Sequence, residues 1–102
     1  MKIAVSTDNN SMDANISSKF TTSPFFAIID EKTLECKFVS NEGIQGARSS
    51  AGMKAVRQLN EEGVNLILTG NMKANLYTTF RKVGIQVYMN VTGTLADIIK
   101  EL

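Results

Sequence analysis

Two apolar spacings alternate along this chain. The clearest is the run Val64, Leu66, Ile67 and Leu68, which follows Gly63 and stops at Thr69-Gly70-Asn71. A short, nearly continuous apolar run between turn residues predicts a strand covered on both faces. Leu76, Phe80 and Val83 then recur at helical spacing, and after Gly84 comes a second short run, Ile85-Gln-Val-Tyr88. Together they predict a strand–helix–strand unit with a parallel pair and a right-handed crossover.

The N-terminal half has a different texture. Lys2-Ile-Ala-Val-Ser6 predicts a short first strand ending in polar residues 6–10. A long polar connection over 11–22 carries Met12, Ala14, Ile16 and Phe20, with Ile16 and Phe20 as the expected anchors to the core. Pro24 opens the next strand, 25–30, because a first strand position need not donate to the ladder. After a turn at 31–33, Leu34, Cys36 and Phe38 alternate with Glu35 and Lys37. That alternation predicts an antiparallel strand over 34–40 with one wet face, which closes a hairpin. The glycine- and serine-rich stretch 41–50 reads as a flexible loop. Gly52, Ala55, Val56 and Leu59 then form a narrow helical stripe, with Ser50 as N-cap and Gly63 as the stop. A last helix starts at Thr94, with Asp97 in a capping-box position and Leu95, Ile98, Ile99 and Leu102 on its apolar face.

This element order predicts one α/β domain over residues 1–102: a five-stranded mixed sheet flanked by three helices. The expected strand order is 3-2-1-4-5 with strand two antiparallel to the rest, the ribonuclease H-like arrangement.

Composition narrows the function classes. An apolar fraction of 43% in 102 residues fits one folded domain. A net charge of +1 gives no reason to expect nucleic acid or an anionic membrane as a partner. No segment approaches ~20 apolar residues and no leader is visible, so the expected location is the cytoplasm. One Cys and no His exclude an intrachain disulfide framework and a His-based zinc site within the chain.

Ligands of open parallel sheets bind beyond the carboxyl ends of strands, so loops 6–10, 69–71 and 89–94 are the expected site. Gly70 and Gly93 would let backbone approach a ligand closely, and helix N-termini after Asn71 and near Thr94 would favour anions. Helix capping and tight turns alone would also account for these residues. Cys36 reads as a small hydrophobe on a strand face, and Met53, Met72 and Met89 as packing residues. A two-metal nuclease needs converging carboxylates; here Asp8 stands alone near the end of the first strand, so that chemistry is not expected. No phosphate-binding Gly-x-x-x-x-Gly-Lys loop and no Gly-x-Ser-x-Gly elbow occurs.

Met1-Lys-Ile-Ala-Val5, Ser17-Ser-Lys-Phe20, Ser23-Pro-Phe-Phe26, Ala51-Gly52, Thr69-Gly-Asn71, Gly84-Ile-Gln-Val-Tyr88 and Thr92-Gly-Thr94 occur in an order that resembles the dinitrogenase iron–molybdenum cofactor biosynthesis family, the NifX-like domain. The resemblance covers nearly the whole chain. It implies a non-enzymatic accessory domain that binds or carries an iron–sulfur or iron–molybdenum-type cluster, weakly held, with protein partners in cofactor assembly. On this reading the expected binding residues are Lys19, Phe20, Thr21, Arg48, Thr69, Gly70, Asn71, Thr92, Gly93 and Thr94, with the 17–22 and 43–52 loops as flaps, Lys19 and Arg48 supplying positive charge, and no metal-ligating side chain among them. Where the family often has histidine, glycine and arginine, this chain has Lys19, Thr21 and Thr22. A protonated lysine is a poor metal ligand. Two other readings stand beside this one: a regulatory or protein-interaction module that has lost the cofactor, and a binder of a small phosphate-bearing ligand.

Overall fold

The computed structural model describes residues 1–42 and 51–102. In chain order the elements are β1 (Lys2–Thr7), β2 (Phe25–Asp30), β3 (Cys36–Ser40), α1 (Ala51–Glu61), β4 (Leu66–Leu68), α2 (Ala74–Lys82), β5 (Gln86–Tyr88) and α3 (Leu95–Glu101). They build a five-stranded sheet in the order β3-β2-β1-β4-β5. β2 runs antiparallel to β1 and β3, while β4 lies parallel to β1 and β5. This is the arrangement expected from the pattern. The predicted Ser50 cap and the flexible loop over 43–50 fall outside the described residues. No described helix is long and apolar enough to cross a membrane.

Side-chain alternation divides the sheet into two faces. Ala4, Phe26, Ile28, Ile67 and Val87 point to one face, where Ala55, Val56 and Leu59 of α1 and Leu76 and Phe80 of α2 cover them. Ile3, Val5, Ala27 and Ile29 point to the other, under Leu95 of α3. Register places Phe38, Ala27, Val5, Leu68 and Tyr88 in one row across that second face. Five strands span roughly 19 Å, whereas a seven-residue helix is about 10 Å long. The second face is therefore covered in the middle and thin at its flanks.

This asymmetry corrects the expected burial of 64–68. Only Ile67 of β4 is fully buried; Leu66 and Leu68 face the thin side and are half-buried. β1, between β2 and β4, is the more enclosed strand, buried from Ile3 to Thr7. Two boundaries also move. Leu34 is exposed and adopts φ 61, so it belongs to the β2–β3 turn and not to a strand face. Val83 is the exposed C-cap of α2. Cys36 is half-buried because β3 is an edge strand.

Candidate functional site

Residues 14–17 form an extended segment laid across the carboxyl edge of the sheet. On one side Asp8 N–H donates to the Asn15 carbonyl (3.0 Å) and Ser17 N–H to the Ser6 carbonyl (2.8 Å). On the other, Ile16 N–H donates to the Gly93 carbonyl (3.0 Å) and Leu95 N–H to the Ala14 carbonyl (2.9 Å). Gly70 N–H closes the arrangement on the Ser17 carbonyl at 3.1 Å. The chain's own loop thus occupies the crevice between the ends of β1 and β4, with Ile16 and Phe20 buried as expected anchors. Hydroxyls reinforce it. Ser6 Oγ and Thr69 Oγ1 are hydrogen-bonded at 2.7 Å. Ser17 Oγ lies 2.7 Å from Asp8 Oδ1 and 3.0 Å from Ser23 Oγ.

Open space lies at the flank of this plug. A groove of about 540 Å³ is lined by Asn15, Ile16 and Ser18, by Gly70 and Asn71, and by Asn90, Val91, Thr92 and Gly93. None of these side chains is ionisable. The N–H groups of Asn15, Ser18, Asn71, Thr92 and Gly93 have no acceptor among the described residues. Asn71 Oδ1 accepts the Met72 N–H at 2.9 Å, which leaves the amide nitrogen as its free end. The groove is therefore rich in neutral donors and free of carboxylates, a combination suited to an anion that is hydrogen-bonded rather than ion-paired.

The ten expected site residues divide between groove and scaffold. Gly70, Asn71, Thr92 and Gly93 line the groove. Lys19 is exposed and follows the groove residue Ser18. Phe20 is a core residue, stacked on Phe26 at 5.0 Å and edge-on to Phe80 at 5.5 Å, with no surface to offer a ligand. The Thr69 side chain is buried in its bond to Ser6. Thr21 is half-buried, and Thr94 is the N-cap of α3 in the expected capping box with Asp97. Arg48 lies outside the described residues.

Two of the physical reasons given for these residues change. A Cβ on Gly70 would sit 2.6 Å from the Ser18 carbonyl oxygen, so the missing side chain admits the protein's own loop. Gly93 has φ +106 and turns the chain into the Thr94 cap. The helix expected directly after Asn71 starts three residues later, at Ala74, and its N-cap Lys73 makes no side-chain capping bond. Asn15 was not expected at the site, while Ser18 and Asn90 fall inside expected loops, 17–22 and 89–94, without having been singled out. Asn90 adopts a φ of 63, a conformation that asparagine tolerates better than most residues. Asn15 and Ser18 join through the long loop's path and have no local signature.

Metal ligation finds no support in these residues. Among the described residues no group of three or more His, Cys, Asp or Glu side chains could hold a metal ion. Cys36 lies on β3, an outer strand at the opposite edge of the sheet from β5. Partial burial raises its thiol pKa, which disfavours the thiolate a metal needs.

The model of a family described as dinitrogenase iron-molybdenum cofactor matches residues 1–102. The chain is 29% identical over 103 residues to an uncharacterized protein of Methanocaldococcus jannaschii, covering 98% of this chain and 83% of that protein. Among solved structures, it superposes on the apo form of the orange protein from Desulfovibrio gigas with TM-score 0.89 at 23% identity, covering 98% of this chain and 84% of that one. A candidate NifB protein from Thermotoga gives TM-score 0.79 at 24% identity, covering 97% and 84% of the two chains. At such identities the structural likeness shows the shared fold.

Proposed function

The chain belongs to the dinitrogenase iron–molybdenum cofactor family, and from that premise we propose that it is a non-enzymatic carrier domain whose groove holds an anionic cargo, a metal cluster or a cluster precursor. The observation that carries this reading is the groove's chemistry. It is lined by amides, hydroxyls and glycines beside Ile16 and Val91, without an acid, and five of its backbone N–H groups have no acceptor among the described residues. Such donors suit the oxygen or sulfur periphery of an anionic cluster and leave its metals untouched. Lys19, next to the groove residue Ser18, adds charge at longer range. Neither carboxylate pairs nor a base–nucleophile pair lines the groove, in keeping with a carrier role.

Cargo held this way is bound weakly and competes with salt. Anaerobic titration with a synthetic iron–sulfur cluster, followed by absorbance at low and high salt, tests the reading. Uptake should fall at high salt. It should also fall in Asn71→Ala, Lys19→Ala and Arg48→Ala, and persist in Cys36→Ser. The protein as purified should carry no tightly bound zinc or iron by elemental analysis. Tight, salt-insensitive uptake abolished by Cys36→Ser would make the cysteine a ligand and overturn this account. No uptake at either salt concentration would leave an interaction module on the same scaffold.

A further inference from the structure

Charge is segregated along this chain although its net value is only +1. No Asp or Glu occurs from residue 43 to 60 or from 63 to 96. Within those stretches Lys54 and Arg57 of α1, Lys73 at the N-cap of α2, and Arg81 and Lys82 in its last turn are all exposed. None of the five forms an ion pair among the described residues, where the single pair joins Lys37 to Glu62 at 2.7 Å. α1 and α2 cover the same face of the sheet and meet where Gly52 approaches Leu76. Their outer surfaces therefore form one side of the molecule. The Arg81 guanidinium lies 6.0 Å from the centroid of the Tyr77 ring, which limits its freedom before any partner arrives.

We propose that the outer face of α1 and α2 is a docking surface for an acidic face of a partner protein. Exposed cations that form no ion pair steer and orient an acidic surface, and the one acid of α1, Glu61, stands at its far end, a turn beyond Arg57. The chemistry favours protein over nucleic acid. A sequence pI of about 7.8 is far below that of a typical nucleic-acid-binding domain, and Glu42, Glu61 and Glu62 gather at the β3 flank of α1, where they would repel a phosphate backbone. A mosaic of a basic face with an acidic border matches a protein surface instead. The location adds a consequence. α2 precedes the parallel strand β5, so its N-terminus lies at the same sheet edge as the groove, and Lys73 is two residues from the groove residue Asn71. A partner docked on this face sits beside the groove mouth. A transfer role for that partner rests on the carrier reading; docking on charge does not.

The experiment uses a fluorescein-labelled, glutamate-rich peptide and a short DNA duplex as probes, read by anisotropy at low and physiological salt. The wild-type protein should bind the peptide at low salt and release it as salt rises. Two charge reversals on the face, Lys54→Glu with Arg57→Glu and Arg81→Glu with Lys82→Glu, should each weaken binding about tenfold or more. A control with the same net change elsewhere, Lys32→Glu with Lys100→Glu, should weaken it less than about twofold. Asn71→Ala should bind the peptide normally, which separates docking from the fate of the groove. Equal losses in face and control variants, tighter binding of the duplex than of the peptide, or no wild-type binding at low salt would each overturn the proposal. Circular dichroism confirms that the exposed variants remain folded.

Discussion

Thr7 Oγ1 is fully enclosed and lacks a hydrogen-bond partner among the described residues. A buried hydroxyl without a partner carries its full desolvation cost. Thr7→Val keeps the shape and removes the cost, so the denaturant midpoint should rise, by about 1 kcal/mol in stability. Gly70 is the opposite case. Its missing Cβ would lie 2.6–2.8 Å from backbone atoms of Ser17 and Ser18. That backbone cannot retreat without breaking the Gly70–Ser17 and Ser17–Ser6 hydrogen bonds. Gly70→Ala should cost about 2–4 kcal/mol in a urea melt, as overpacking against fixed atoms does. Cys36 links a residue to pH. Its pKa is raised in the folded state by desolvation, so above the unfolded thiol's pKa the unfolded chain loses a proton that the folded one keeps. Stability should fall as pH rises through that region. Melts of wild type and Cys36→Ser across the same pH series check this, and the slope should be smaller in the variant.

At the scale of elements, β4 shows how covering layers decide energetics. Its three residues are equally apolar, yet Ile67 faces two helices and Leu66 and Leu68 face one short one. Ile67→Ala should cost about 2–5 kcal/mol, as for a packed core site. Leu66→Ala should cost distinctly less, because part of its side chain already meets water. Equal midpoint shifts would show that the second face is better covered than the exposure of Leu66 indicates. The long 11–22 connection is the other instructive element. Its middle behaves as an extra strand-like segment, bridging Thr7 to Ile16 and Asn15 to Thr94. It thereby converts the sheet's open crevice into a floor beside the groove.

For the whole molecule, β1 ties the two cores together. Ala4 contributes to the layer under α1 and α2, while Ile3 and Val5 contribute to the layer under α3. Neither layer can be lost without exposing the other face of the same strand. Unfolding should therefore be one cooperative transition. Methyl signals of Leu59 in one layer and Leu95 in the other should vanish at the same denaturant concentration. Separate midpoints would show two independent units.

Order and type of elements could be read along the chain because they depend on local periodicity and turn chemistry. The alternation in β3, the stripe of Ala55, Val56 and Leu59 and the Thr94–Asp97 capping box each need only neighbours in sequence. Strand order followed, since short crossovers leave few topologies. The parallel strand pattern singled out the carboxyl edge of the sheet, where Gly70, Asn71, Thr92 and Gly93 line a groove. Which apolar residues are covered was not readable, because Leu66 and Ile67 look alike until a seven-residue helix proves too small for a five-strand face. The groove's other wall, Asn15 and Ser18, was not readable either. Their neighbours Ile16 and Ser17 hold them there through hydrogen bonds to Gly93, Ser6 and Gly70, partners that folding brings together from distant parts of the chain.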